Sequence, residues 1–291
     1  MKNQKLGLLL LEIFGVLLFL LFLSPIFLLV INSAKSSAEI LASPLSWPAS
    51  FGQLWTNAVT IWNNPSIKYP SSFFASTIIT VISLVTITLF SALAAWGLVR
   101  YRSKLSTVVF FIFVASMVIP FQVVMYPLVT WFKILSDAIT NPLFGVSLLR
   151  TYPGIIFAYT GFGMSLSVFM FHGFIKGVPL EIEEAAELDG CNKMQTFFYV
   201  VLPILKPIYV TILILNGIWI WNDFLLPLLL LGKGNAIQTL PIAVSNFAGS
   251  FTKQWDMILT STLLIMLPVI ILFLIAQKHI MKGMVDGAIK S

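Results

Sequence analysis

The side chains with chemistry to offer are few, and they crowd into one place. Five of the chain's eleven acidic residues, Glu181, Glu183, Glu184, Glu187 and Asp189, lie within Pro179 to Asp189 (PLEIEEAAELD), a stretch that Gly190 closes. Carboxylates at that density offer ion pairing and hydrogen-bond acceptance, the chemistry of recognition by a basic partner. Catalysis lacks its components. The two histidines, His172 and His279, are too few for a metal cluster, and no nucleophile stands beside a base. Cys191 is the single cysteine, with no second thiol for a disulfide or a metal site, and reads as a small packing residue. Gly232-Lys233-Gly234 lacks the upstream glycine and the Ser or Thr of a phosphate-binding loop, so the chain is expected to hydrolyse no ATP, to hold no cofactor and to carry no catalytic residue. A second polar group, Trp219, Trp221, Asn222 and Asp223, combines aromatic faces, an amide and a carboxylate, which suit stacking on and bonding to a sugar.

The acidic stretch needs a helix to position it, and the residues supply one. Pro179 suits the first helical position, Glu181, Glu183 and Glu184 complement the positive end of the dipole, and Gly190 supplies a left-handed cap. Eleven residues make a rod of roughly 16 Å, too short to cross a bilayer. Glu181, Glu184, Ala185 and Leu188 share one face at helical spacing, and the small Ala185 and Ala186 allow close approach of another protein. The alternative is a solvated acidic loop helix with no partner. Met194, Phe197, Phe198 and Val201 then recur as the apolar stripe of a second short helix, before Pro203 and Pro207 mark re-entry into a membrane.

The membrane follows from composition. Among 291 residues, 58% are hydrophobic and 10% charged, with mean hydropathy +0.97; soluble domains carry about 25% charged residues. The +6 net charge comes from scattered Lys and Arg that never form a run, which argues against a nucleic-acid partner. Six segments reach the roughly 20 apolar residues that a span needs: about 7–31, 72–99, 106–131, 152–175, 207–231 and 257–277. The first, charge-free from Ile13 to Ala34, exceeds a signal-peptide core of about 7 to 15 residues and reads as an uncleaved span. Between Glu39 and Lys68 there is no charge either, but Pro44, Pro48, Asn57, Asn63, Asn64 and Pro65 make it an external loop carrying Trp47, Trp55 and Trp62. Alternate connections carry eleven Lys and Arg on one side and six on the other, which puts both termini and the acidic stretch in the cytoplasm. Asp223 falls within the fifth span, ~24 Å of helix past Pro207, where it either lines a path or serves interface anchoring and helix packing. Glu12 is expected to snorkel or pair at the cytoplasmic face and His172 to contact neighbouring helices.

EEAAELDG, followed thirteen residues after Gly190 by Pro203 in FFYVVLPILKP, closely resembles the EAA loop of ABC-type (type I) importer permeases. AAWGLVRYR (Ala94 to Arg102, with Trp96 where a tyrosine is more usual), IPFQVVMYPL (Ile119 to Leu128), WNDFLLP (Trp221 to Pro227) and the tail from Gln277 resemble the carbohydrate branch, in particular the second membrane subunit of maltose-type and multiple-sugar importers. The stretch from Ser136 to Arg150 is longer than that branch usually has. The likeness covers roughly residues 70 to 291.

The resemblance implies an all-α polytopic bundle of six transmembrane helices, with a cytoplasmic coupling helix between spans four and five. It implies an N-terminal span and external loop over 1–70, a transmembrane domain over 71–281 and a cytoplasmic tail over 282–291. Glu181, Glu184, Ala185, Ala186, Asp189 and Gly190 would contact the ATPase, with Glu183 at the rim, where Gln would cost little. Partners would be a second permease subunit, two copies of a cytoplasmic ATPase that bind the ATP and magnesium, and an extracytoplasmic solute-binding protein, in the plasma (inner) membrane of a prokaryote. Trp221, Asn222 and Asp223 stand as the possible substrate path. A secondary transporter or channel acting alone, the main rival, should show several intramembrane acids and inverted repeats, and a membrane enzyme should show a catalytic cluster.

Overall fold

Backbone that enters hydrocarbon must satisfy its own hydrogen bonds, so apolar runs of this length fold as helices. The computed structural model describes residues 2–65, 67–140, 145, 147–249 and 253–288. It is helical throughout, and among the described residues the extended pairing is one isolated bridge, Ala248 with Lys253. Four helical stretches are long and apolar enough to cross a membrane: Gly7–Ser33, Tyr69–Arg100, Tyr152–Ile175 and Trp255–Ile275. Two more crossings are available if each of two bent pairs counts as one: Lys104–Ser116 with Phe121–Ala138, and Lys193–Ile204 with Lys206–Asn222.

The chain divides into two compact units, Met1–Pro70 with Ala243–Pro268, and Ser71–Ile242 with Val269–Ser291. In the first, α1 (Lys2–Ser33) is exposed along most of its length, Glu12 included, as suits a helix surrounded by lipid or a partner. The segment expected as an external loop contains two helices, α2 (Ser37–Ala42) and α3 (Gly52–Asn63). The Ser36 hydroxyl and the Glu39 carboxylate form a reciprocal capping box at the start of α2. Asn57, expected to loosen the segment, is buried and organises it: its amide donates to the Ser33 carbonyl, an orphan acceptor at the end of α1, and to the Thr260 hydroxyl. Lys35 is 2% exposed, and its ammonium donates to Asn32 Oδ1 (3.1 Å) and to the Ser43 carbonyl (3.0 Å) rather than to a carboxylate.

The second unit holds α4 (Tyr69–Arg100, from Ser71), α5 (Lys104–Ser116), α6 (Phe121–Leu135), α7 (Tyr152–Ile175), α8 (Glu181–Leu188), α9 (Lys193–Ile204, including a π-helical turn at Phe197–Val201), α10 (Lys206–Asn222) and α11 (Leu225–Leu230). The short α12 (Leu240–Ser245) and the long α13 (Trp255–Ala288) complete the chain. Buried side chains from α4, α7, α9 and α10, among them Ile87, Ala92, Tyr159, Phe171, Phe197 and Ile212, form one apolar cluster. Small residues let these backbones approach: a Cβ on Gly163 would stand 2.5 Å from Ile87 Cδ1.

Two expected spans are broken. The segment 106–131 is α5 and α6, bent by 110°, because Pro120 takes an extended conformation (ψ 136°) and a proline also drives its predecessor out of the helical region. The segment 207–231 ends its main helix at Asn222, since Asp223 is extended (ψ 132°) before α11 begins. A hydropathy window sums across both breaks and registers neither. By contrast, α7 occupies the expected 152–175, with Thr151 accepting at its N-terminus and Pro153 in its first turn.

Candidate docking helix and transmembrane groove

The eight residues of α8 extend about 12 Å. Helical dihedrals begin at Leu180, so Pro179 stands just before the helix rather than at its first position. Glu181, Glu183 and Glu184 occupy the first turn, where their charge complements unpaired N–H groups. At the other end Gly190 has φ +92°, its N–H bonds the Glu187 carbonyl, and Cys191 N–H bonds the Ala186 carbonyl, each at 3.0 Å. These two bonds are a Schellman motif, and it is the left-handed glycine that turns the chain into it. Asn192 and Gln195 then cap α9 reciprocally.

One face of α8 is turned inward. Glu183 and Ala186, three residues apart, are 4% and 9% exposed. Outward lie Glu181, Glu184, Ala185, Asp189 and Gly190, together with Leu188, which is 89% exposed. Ala186, expected on the docking surface, lies on this inward face. Glu183, expected at a rim, is the anchor of the helix: one carboxylate oxygen accepts from Arg100 Nε (2.9 Å) and Nη2 (2.7 Å), and the other from the Trp96 indole N–H (2.9 Å). Arg100 Nη2 also donates to the Val178 carbonyl at 3.1 Å. The Trp96 ring packs on Phe197, whose centroid is 5.3 Å away. On the solvent side of α8 Lys193 pairs with Glu187.

The stripe expected on α9 is displaced. Phe197 and Val201 are fully buried, in line with Leu205, while Met194 and Phe198 are exposed. The π turn closes its hydrogen bonds across five residues instead of four and winds more residues into the turn, so the buried set departs from the expected α-helical stripe.

A groove of about 750 Å³ runs between α5, α6, α7 and α10. Trp131, Phe157 and Trp219 contribute aromatic faces, and Ser116, Ser165 and Asn216 contribute polar groups. Trp131 stacks on Phe157 with an interplanar angle of 12°, and Trp219 stands edge-on to Tyr159. The Ser116 and Ser165 hydroxyls bond each other at 2.7 Å, and the Asn216 amide donates to Ser167 Oγ. Such a surface combines stacking platforms with a few fixed hydrogen-bonding groups.

Trp221, Asn222 and Asp223, expected as a possible path, are not among the residues that line this groove. Trp221 is nearly buried, edge-on to Phe73 at 5.7 Å, and the exposed Asn222 donates to the Ile218 carbonyl of its own helix. Asp223 is a joint: one oxygen accepts from the Tyr159 hydroxyl (3.0 Å) and the other from the Leu225 N–H (3.1 Å), so the side chain fixes the break between α10 and α11. His172 is buried and stacked on Phe110 at 3.8 Å, a helix contact as its position in the fourth span implied. His279 falls outside the described side chains. Sequence reasoning missed Arg100, Trp96 and Tyr159. The available signal was a lone arginine in the last turn of an otherwise uncharged 32-residue helix.

The family described as "Binding-protein-dependent transport system inner membrane component" matches residues 87–286. The chain is 36% identical to the probable starch degradation products transport system permease protein AmyC of Thermoanaerobacterium thermosulfurigenes, over 97% of this chain and 96% of the relative. It is 33% identical to the melibiose/raffinose/stachyose import permease protein MelC of Bacillus subtilis, over 91% of each chain. Identity with the multiple sugar-binding transport system permease protein MsmG of Streptococcus mutans is 31%, over 93% of each. In fold the chain is similar to a chain of a bacterial ABC transporter involved in the import of the acidic polysaccharide alginate, with a TM-score of 0.74 over 95% of this chain and 97% of that one, at 20% identity.

Proposed function

The chain belongs to the family of binding-protein-dependent transport system inner membrane components, and from that membership we propose that it is a permease subunit of an ATP-driven importer whose solute is a sugar or oligosaccharide. The observation that carries the energetic half of the proposal is α8: a capped, anchored eight-residue helix that turns Glu181, Glu184, Ala185 and the exposed Leu188 outward. Leucine at that exposure beside two carboxylates fits a partner surface with an apolar hollow and basic residues. The names of the relatives support the solute class.

In this reading the bent pairs each form one crossing, giving six spans with both termini and α8 in the cytoplasm. A second permease faces the groove, so that each membrane subunit supplies half of the solute path, with Trp131, Trp219 and Asn216 on this chain's wall. Asp223, with Trp221 and Asn222 beside it, holds the helix break at the end of that wall. Two ATPase subunits bind ATP and magnesium, an external binding protein delivers the solute, and this chain binds no cofactor. ATP-driven closure of the ATPases moves α8 and shifts the membrane subunits from inward to outward facing, the energy being the differential affinity of the partners for the two states.

The test is purification of the tagged chain from its native membrane. Co-isolation of an ATPase and a second permease is expected. The complex, reconstituted with its binding protein, should take up radiolabelled maltotriose or raffinose only with ATP inside. Uptake by the lone chain, or a preparation free of ATPase, would overturn the proposal.

A further inference from the structure

Resting on the docking role of α8, we infer that the Glu183–Arg100–Trp96 cluster is the joint that passes the displacement of α8 into α4, which makes these three positioning residues for transport and α4 the rod that carries the motion through the bundle.

The geometry is that of a joint. A contact that only filled space would be apolar, yet here a carboxylate, its side chain 5% exposed, takes three charge-assisted or indole hydrogen bonds from α4. Two guanidinium nitrogens converge on one oxygen, and the same guanidinium reaches the Val178 carbonyl in the approach to α8. Arg100 therefore grips the docking segment at two points five residues apart, which prevents α8 from rocking about either. Glu183 and Arg100 are 83 residues apart in sequence, so no local turn imposes the contact.

Beside the joint a cleft of about 250 Å³ separates α8 from the end of α4, lined by Trp96, Gly97, Tyr101, Leu180, Glu184 and Glu187 among others. The packing between α8 and α4 is thus open on that side, and among the described residues the polar links between α8 and α4 are those made by Glu183. A push on α8 reaches α4 through these bonds, while the contacts of α8 with α9 lead into the next helix.

The far part of α4 receives what the joint transmits. Phe73 meets Trp221 edge-on next to the Asp223 break, and Ser76 Oγ accepts from the Leu240 N–H at 2.8 Å. From Phe73 to Arg100 is about 40 Å of continuous helix. One rigid element therefore touches the docking helix at one end and the α10–α11 break at the other, the kind of connection through which coupling can travel.

The test uses the assembled four-subunit complex, spin-labelled at the native Cys191 in the turn that closes α8 and at Tyr101→Cys just beyond α4. The joint predicts one narrow inter-label distance that is the same without nucleotide and after trapping with ATP and vanadate. In Glu183→Gln, and more weakly in Trp96→Phe, which keeps the ring on Phe197, the distance should shift or broaden on trapping, with loss of the binding protein's stimulation of ATP hydrolysis. Exchanging the charges, Arg100→Glu with Glu183→Arg, should narrow the distance again relative to Glu183→Gln but short of the parent, because the bonds of Trp96 and Val178 are not regained. A merely structural ion pair would lower the yield of complex and leave the distances alone. A distance that changes on trapping in the parent complex, or stays narrow in Glu183→Gln, overturns the inference. Docking has its own readout: failure of Leu188→Cys to cross-link to an ATPase subunit would remove the docking role itself, whatever the distances show.

Discussion

A Cβ placed on Gly190 would have no neighbour within 4 Å, so a substitution there is free of steric cost and meets only the backbone at φ +92°. For a β-branched residue that conformation costs about 1–2 kcal/mol. Gly190→Val should therefore unwind the Schellman turn and tilt the outward face of α8, reducing the ATPase retained on the purified complex and the uptake that it drives. Gly190→Asn, which tolerates the left-handed region, should behave almost as the parent. Equal retention of ATPase by the two variants would show that the cap conformation is irrelevant to docking. Residue by residue, the sequence told most where chemistry is local: the acidic first turn and the glycine cap depend on neighbours within the same helix. It told less where the partner is remote. Glu183 and Glu184 are adjacent carboxylates with equal claim to either face, and the choice is made by Arg100 and Trp96 on another helix.

At the scale of elements, two glycines of α7 mark contacts of different stiffness. A Cβ on Gly154 would stand 1.6 Å from the Leu148 carbonyl oxygen, a backbone atom. On Gly163 it would meet the far end of the Ile87 side chain at 2.5 Å, which can turn away, and Asn216 Oδ1 at 3.0 Å. Overpacking costs run from about 1 to 3 kcal/mol. Gly154→Ala should sit at the upper end and Gly163→Ala near the lower, a ranking to be read from thermal unfolding of the purified complex in detergent. Reversal of that order would mean that the segment before α7 yields more easily than the α4–α7 contact. The same contrast explains which elements were legible. The boundaries of α7 follow from its Thr151 cap, its early proline and its uninterrupted apolar run, all of them local. The breaks at Pro120 and Asp223 sit within apolar stretches whose summed hydropathy still qualifies as a span, so a search by length and apolarity passes over them. The π turn of α9 hides in a different way, because a 3.6-residue period is assumed before any face is assigned.

For the whole molecule, sidedness has a structural constraint. The ion pair of Arg100 with Glu183 requires the end of α4 and α8 to lie at the same surface of the membrane, and Arg102 and Lys104 follow Arg100 within four residues. Positive charge is retained on the cytoplasmic side, so this cluster argues for α8 facing the cytoplasm more directly than the eleven-to-six count over the chain. In the proposed topology the turn after α11, with Lys233 exposed between two left-handed glycines, falls on the outer side. In cells carrying Cys191→Ser, a membrane-impermeant maleimide should label Lys233→Cys in intact cells, whereas Leu188→Cys should react only after the membrane is opened. Both positions lie in exposed backbone away from the buried cluster, so the substitutions themselves should change stability by no more than about 0.5 kcal/mol. Labelling of Leu188→Cys in intact cells would invert the orientation, place α8 beyond the reach of any cytoplasmic ATPase and remove the energetic half of the importer proposal. Labelling of both positions from outside would instead mean that α9 and α10 do not form one crossing, which the 76° bend between them makes the first crossing to doubt.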